Sequence, residues 1–276
     1  MNPHQPAAAG PREMVASFWR NRQLLGQLTR REVLGRYRGS LMGLAWSFFN
    51  PLLMLAVYTF VFSVVFNARW GTGEPTSRVQ FALVLFVGVI VHGVISEGIN
   101  KAPGLILGNA SYVKRVIFPL EILPWVVVGS AVFHAAISLA ILLLAQLLFD
   151  GGIPATALWL PLVLLPIVPM TMGLTWLLAA TGVFIRDIAQ LTGIITTVLM
   201  FMAPVFYPIS ALPEQYRKWL YLNPVTYIIE QARAVLFSGL PPDWTGLALY
   251  SAIALLVAGG GFWWFQMTRK GFADVV

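Results

Sequence analysis

The sequence predicts an all-α integral membrane protein with six transmembrane helices. Six stretches of at least 18 residues contain no Asp, Glu, Lys or Arg, and they cover 39–68, 79–96, 122–149, 151–185, 188–213 and 244–268. The chain is 58% hydrophobic and only 11% charged, with a mean hydropathy of +0.76. A backbone in lipid must satisfy its own hydrogen bonds, so a helix of roughly 20 apolar residues is the unit that crosses the bilayer core. We expect a transmembrane domain over 39–268, with spans near 41–66, 79–100, 121–148, 157–184, 188–207 and 245–266.

The positions of the basic residues predict how these spans are oriented. If both termini are cytoplasmic, thirteen of the 18 Lys and Arg residues lie on the inner side and five on the outer side. The positive-inside rule favours that arrangement. It also assigns most of the net charge of +7 to the inner face, so the basic composition needs no nucleic acid as a partner.

The N-terminal region divides into a flexible stretch and an interface segment. Residues 1–11 are rich in Pro and Ala, whereas 12–38 predict a cytoplasmic amphipathic segment. Its apolar stripe consists of Met14, Phe18, Leu25 and Leu28, with arginines on the opposite side. The capping-box pattern from Thr29 to Glu32 predicts that a second short helix begins there. The segment is either a generic basic anchor in the lipid headgroups or a docking surface, and its candidate contacts are Arg30, Arg31, Arg36 and Arg38.

The second inner segment, at about 104–118, mixes charged residues with helix breakers. Asn109 is placed to cap a short helix that runs through Val116. A simple connection between two spans could be shorter, so we expect this helix to contact another protein. The C-terminal residues 269–276 are a predicted cytoplasmic tail.

The outer segment at about 208–243 is too apolar for a solvated loop and too broken to cross the bilayer. Re-entrant or interfacial helices fit this pattern, because broken backbone at membrane depth is tolerated where protein or a water-filled cavity surrounds it. We therefore expect a gate or mouth here, and its candidate residues are Pro208, Trp219, Asn223 and Pro224. Glu230 and Arg233, three residues apart, predict a local ion pair.

Aromatic residues cluster near the outer ends of two predicted spans. Tyr58, Phe62 and Phe66 form a helical stripe on the first span, and the fifth carries Phe201, Phe206 and Tyr207 toward its end. One interpretation is packing against lipid. The other is a channel wall along which sugar rings slide, and the pattern alone leaves both open.

The sequence contains no recognisable catalytic, metal or cofactor site. It has no cysteine, its three histidines lack metal-ligand spacing, and a phosphate-binding Walker A loop is absent. His92 and His134, inside the spans, are interpreted as polar packing contacts rather than a proton relay. We expect a protein that is not an enzyme.

Four segments follow one another along the chain: Arg36–Trp46 with Asn50-Pro51, Ile117–Pro124, Phe184–Ile188, and Phe206–Pro208 with Leu222–Pro224. In this order they resemble the permease subunit of polysaccharide-exporting ABC transporters of the type-2 exporter superfamily, above all the O-antigen exporters. The resemblance spans roughly residues 20 to 270. Residues 1–11 depart from the family pattern, which assigns them no role.

The resemblance implies a homodimer in the bacterial inner membrane, with the glycan path between the subunits and one separate ATPase chain on each. ATP and Mg²⁺ would bind those ATPase chains. The ATPase-coupling residues would be Asn109, Ser111, Tyr112, Val113, Lys114 and Arg115. The segment after the fifth span would be the periplasmic gate.

The implied function is ATP-driven export of a lipid-linked polysaccharide, an O-antigen chain on undecaprenyl diphosphate, from cytoplasm to periplasm. Teichoic acid, capsule or a small drug are alternative cargoes for the same architecture. An alternative of another class is a membrane glycosyltransferase or polymerase. The scattered carboxylates of the outer segments argue against such an enzyme.

Overall fold

The computed structural model describes residues 9–61, 78–113, 118–149 and 151–275, and this part of the chain contains helices and turns without a β-strand. The α-helices are α1 (Pro11–Arg20), α2 (Arg22–Arg36), α3 (Trp46–Tyr58), α4 (Arg78–Leu105), α5 (Ala110–Val113), α6 (Leu123–Phe149), α7 (Leu160–Leu164), α8 (Ile167–Phe184), α9 (Ile188–Phe201), α10 (Glu214–Leu220), α11 (Thr226–Leu236), α12 (Trp244–Thr268) and α13 (Phe272–Val275). The all-α prediction is confirmed for the described residues.

Five helical segments in the described part are long and apolar enough to cross a membrane. They are Gly43–Val61, Val79–Leu105, Leu120–Phe149, Ala155–Phe184 and Trp244–Val275, and they correspond to five of the six predicted spans. The remaining span, 188–207, holds only the 14-residue helix α9. At 1.5 Å per residue α9 is about 21 Å long, which is shorter than a bilayer core. A sixth crossing therefore stays a prediction.

The N-terminal segment forms two helices, but they divide at Asn21 and not at Thr29. Thr29 lies in the middle of α2, so the predicted capping box is wrong. Its side chain packs against Gly129 of α6, and this contact holds the helix straight through the predicted boundary. The expected apolar stripe is confirmed, because Leu25 and Leu28 are buried and Phe18 packs on Trp125 with ring centroids 4.7 Å apart.

Helix α4 is the centre of the bundle and packs against α6, α8 and α9. It continues to Leu105, although Pro103 and Gly104 were expected to break it. Gly182 of α8 explains the continuation, because a side chain there would overlap the backbone of Pro103. The last turn of α4 is thus supported by direct backbone contact with α8.

Helices α8 and α12 also approach closely through glycines. A Cβ on Gly173 would overlap the backbone of Val257, and one on Gly261 would overlap the backbone of Gly173. Small residues at such crossings let helix backbones pack in lipid, where no hydrophobic driving force holds helices together.

Helix α3 lies at the edge of the bundle. Only Ser47 and Leu55 of its residues are buried, whereas Phe48, Phe49, Leu53 and Val57 are exposed. This face of the described chain is therefore open to lipid or to another protein.

Candidate functional site

A cluster of charged residues marks one boundary of the membrane domain. The Glu97 carboxylate of α4 contacts Arg36 Nη1 at 3.1 Å, Lys101 Nζ at 3.0 Å and His134 Nδ1 at 3.1 Å. Lys101 also pairs with Glu32 of α2 at 3.0 Å. Glu97 lies 19 residues from the start of α4, which is about 28 Å of helix and close to the ~30 Å thickness of a hydrocarbon core. This level is therefore about one hydrocarbon-core thickness from the start of α4.

The helices beyond this boundary, α1, α2 and α5, are connected by contacts, and we call them the inner layer after the cytoplasmic side that the sequence predicts for them. Arg31 of α2 donates a hydrogen bond to the hydroxyl of Tyr112 at 2.8 Å, and the Tyr112 ring stacks on Phe118 at 4.2 Å. Among the predicted coupling residues, Ser111 is exposed and Val113 half-buried. Lys114 and Arg115 lie outside the described residues, as does the expected end of the helix at Val116. Helix α2 and the predicted coupling segment are therefore joined by a direct contact.

Asn109 has a different contact from the one expected. Its amide nitrogen donates to the carbonyl of Leu105 at 2.9 Å, so the side chain satisfies the end of α4. Helix α5 begins at Ala110, after a 3-10 turn over Leu107–Asn109, so Asn109 lies at the predicted position directly before the helix.

Glu121 joins both ends of the described chain to this inner layer. Its side chain is buried, accepts a hydrogen bond from the Ser17 hydroxyl at 3.0 Å and pairs with Arg269 at 2.7 Å. Its carbonyl accepts a hydrogen bond from the Trp176 indole at 3.1 Å. Helix α1 and the C-terminal segment therefore lie on the same side of the bundle. This contact could not be predicted from the sequence, because Ser17, Glu121 and Arg269 are far apart in the chain.

The four predicted inner-face arginines divide into two pairs. Arg31 and Arg36 hold the contacts described above, whereas Arg30 and Arg38 are exposed and have no hydrogen bond or ion pair with a described residue. Both pairs remain candidates for contact with a partner or with lipid headgroups.

On the opposite side of the membrane domain, the predicted gate residues lie where α9 ends. The Asn223 side chain is buried and donates to the carbonyl of Leu199 at 2.7 Å, while Pro224 accepts a hydrogen bond from Tyr250 at 2.6 Å. Pro208 is half-buried, and Trp219 is exposed beneath the ammonium group of Lys218. The broken segment is thus fastened to both α9 and α12.

Arg233 fixes the same segment from inside the protein. Its guanidinium donates to the carbonyls of Val84 at 2.9 Å, of Val205 at 3.2 Å and of Pro204, and it pairs with Glu230 at 3.3 Å. The predicted ion pair with Glu230 is confirmed. The carbonyls of Pro204 and Val205 follow the end of α9, where regular helical hydrogen bonding has stopped. Arg233 supplies donors to this irregular backbone.

The aromatic residues near α9 contact one another. The rings of Phe201 and Phe206 are 5.6 Å apart, and the Tyr207 hydroxyl donates to the carbonyl of Phe201 at 2.9 Å. Tyr58 and Phe206 pack against the same hydrophobic core cluster. The other two members of the predicted stripe, Phe62 and Phe66, lie outside the described residues. A channel wall built from these residues stays a prediction.

Each of the two histidines of the spans contacts a polar group. His92 is buried against the carbonyl of Thr196 at 2.9 Å, and His134 belongs to the Glu97 cluster. The described residues contain no group of three potential metal ligands.

Comparison with known proteins identifies the family. The family model for the membrane domain of ABC-2 type transporters matches residues 23–237. An O-antigen export system permease protein of Myxococcus xanthus is 27% identical over 95% of this chain and 99% of its own length. A Klebsiella pneumoniae protein of the same description is 23% identical over 92% and 95%, respectively. A capsule polysaccharide export inner-membrane protein of Neisseria meningitidis is 25% identical over 80% and 83%. Because the family model covers most of the chain, this protein belongs to the ABC-2 type transporter family.

Proposed function

We propose that this chain is the permease of an ATP-driven exporter of lipid-linked polysaccharide. The observation that carries this proposal is its end-to-end similarity to O-antigen export permeases. The cargo would be an O-antigen chain on undecaprenyl diphosphate, moved from the cytoplasm to the periplasm. The working unit would be a homodimer in the bacterial inner membrane, with ATP and Mg²⁺ bound by two separate ATPase subunits.

The inner layer supports a role in coupling to an ATPase. Helices α1, α2 and α5 lie beyond the charged boundary at Glu97, and Arg31 connects α2 to Tyr112 of the coupling segment. A force applied to that segment would reach α2, and through Glu32 and Arg36 it would reach α4. The excess of basic residues on this side favours a cytoplasmic location for both termini.

The opposite side supports a gate. Helices α10 and α11 fill the region beyond the end of α9 without crossing the bundle, and Arg233 and Asn223 fasten them. The open faces of α3 and α9 offer apolar surface to a second copy, with Phe48 and Leu53 on α3 and Leu191 and Ile194 on α9 exposed. A glycan path between two such subunits would run past Phe201 and Tyr207.

Two alternatives have different support. Capsule as cargo is favoured by the similarity to a capsule export protein, although that similarity covers less of the chain. A membrane glycosyltransferase is less favoured, because two of the three outer carboxylates in the described residues have structural contacts and the third, Glu214, stands alone on the surface. Glu230 pairs with Arg233, and Asp243 caps α12.

Deletion of the gene tests the proposed function against the glycosyltransferase alternative. Loss of an exporter would remove surface polysaccharide while full-length lipid-linked glycan accumulates on the cytoplasmic face of the inner membrane. Loss of a polymerase or transferase would leave short or missing glycan instead. The measurement is electrophoresis of the glycan from the cell surface and of the lipid-linked glycan from the inner membrane. An absence of full-length glycan from the inner membrane of the deletion strain would contradict the proposal.

Reversing both charges in a Lys114→Glu, Arg115→Glu variant is expected to uncouple export. These residues belong to the predicted coupling segment. Opposite charges there would repel the ATPase surface that binds this segment. We expect at least a tenfold loss of surface glycan with normal membrane insertion. The control is Lys218→Glu, which reverses an exposed charge in the outer segment. Normal export and an unchanged ATPase pull-down in the double variant would contradict the assignment.

A further inference from the structure

A cavity of about 240 Å³ lies between α3, α4 and α6, and its two ends differ in chemistry. Arg36, Glu97 and His134 line one end. Along the rest of the cavity, apolar side chains such as Phe86, Ile90 and Val94 form the wall. A cavity with one charged end and an apolar body matches an amphiphile rather than a sugar.

The length of the cavity matches one leaflet of a bilayer. Its α4 lining runs from Phe86 to Glu97, and eleven residues of helix span about 16 Å. That is about half of a ~30 Å hydrocarbon core. An acyl chain of a phospholipid reaches the middle of the bilayer, whereas a polyprenyl carrier of many isoprene units is far longer. The dimensions therefore favour an acyl chain.

The charged end retains hydrogen-bond donors for a phosphate. Glu97 contacts three side chains, those of Arg36, Lys101 and His134, so it does not occupy all of the donors of Arg36. Arg36 uses Nη1 for its contacts, and its Nη2 and Nε have no acceptor among the described residues. Its side chain is 50% exposed. A guanidinium edge with two free N–H donors suits a phosphate oxygen pair.

An unfilled space separates part of helix α3 from α4 and α6. It has few buried residues, and where it faces α4 the position of Gly93 is open, because a Cβ there would meet nothing within 4 Å. Asn50, Pro51 and Met54 of α3 line the same cavity. An apolar chain in this space would complete the contact of α3 with α4 and α6.

We propose that this cavity binds one glycerophospholipid from the leaflet on the α2 side. One acyl chain fills the space beside Gly93, and the phosphate lies on Arg36 at the end of α2. The bound lipid then fixes the position of α3 relative to α4. This site is independent of the polysaccharide cargo, so it goes beyond the proposed function.

The test is native mass spectrometry of the full-length chain, purified in mild detergent, delipidated and titrated with palmitoyl-oleoyl phosphatidylglycerol. We expect one tightly held lipid per protomer. Gly93→Leu fills the space and is expected to weaken binding at least tenfold. The matched control is Gly260→Leu, at an exposed position of α12 where a Cβ also meets nothing within 4 Å. Equal binding by Gly93→Leu and its control would overturn the site.

A second variant tests the headgroup contact, and it keeps the proposal testable if Gly93→Leu does not fold. Arg36→Gln leaves the apolar space intact and is expected to weaken binding about tenfold, while Arg12→Gln, at an exposed arginine of α1 away from the cavity, is expected to leave it unchanged. Undecaprenyl phosphate serves as the competing probe. If it displaces phosphatidylglycerol at equal concentration, or if Arg36→Gln binds normally, the proposal is wrong. These measurements use no ATPase and no glycan, so their failure leaves the export proposal untouched.

Discussion

Replacing Arg233 with methionine is expected to destabilise the outer segment and abolish export. Methionine keeps an unbranched apolar stem but has no donor, so the carbonyls of Pro204 and Val205 would lose the hydrogen bonds that they accept from Arg233. An unsatisfied buried polar group costs roughly 1–3 kcal/mol, and two such groups give a loss of about 3 kcal/mol or more. The measurements are thermal unfolding in detergent and surface glycan per membrane-inserted permease.

Arg217→Met is the matched control, because Arg217 also donates to two backbone carbonyls, those of Leu212 and Ser210. Those contacts are exposed or half-exposed, so water can replace the lost donors and the change in stability is expected to stay below about 1 kcal/mol. Arg233→Lys would keep the charge but not the fork of donors, and we expect an intermediate loss. Wild-type unfolding and export in Arg233→Met would show that the arginine does not hold this segment.

Only one of the contacts of Arg233 could be predicted from the sequence. The i, i+3 spacing predicted its ion pair with Glu230, and the structure contains that pair. The carbonyl acceptors could not be predicted, since every residue carries a carbonyl and only the three-dimensional course of the chain brings Val84 and Val205 to the guanidinium. The contact between Ser17 and Glu121 could not be predicted either, because only the fold brings these distant residues together.

Long apolar stretches were predictable because the membrane imposes a minimum length on a helix. Helix boundaries were less so, because local signals compete with packing. The capping pattern at Thr29 is overridden by contact with Gly129, and the proline at 103 is accommodated where Gly182 approaches it. The Glu97 cluster was missed for a related reason: an isolated carboxylate at the end of a predicted span gives no indication of its partners on α2 and α6.

Replacing Glu97 with glutamine is expected to loosen α2 from α4 and to reduce export at least tenfold. Glutamine keeps the size of the side chain but removes the charge that Arg36, Lys101 and His134 share. A hydrogen bond to a charged group contributes about 1.5–3 kcal/mol, and the Glu97 side chain is only 15% exposed, so solvent screens the loss poorly. Leu25 and Leu28 would still anchor the N-terminal part of α2 by burial, and only Val33 is buried beyond them, so we expect the part from Thr29 to Arg36 to move.

The movement can be measured by cysteine cross-linking, since the chain has no cysteine of its own. A Cβ built on Gly129 lies 3.8 Å from the Cβ of Thr29, which is about the mean separation in a disulfide. A Thr29→Cys, Gly129→Cys pair is therefore expected to cross-link readily, and more slowly when Glu97→Gln is added. The control is Glu13→Gln, which breaks the exposed pair with Arg20 and is expected to cost below about 1 kcal/mol. Unchanged cross-linking together with unchanged export in Glu97→Gln would mean that the cluster does not connect α2 to the membrane domain.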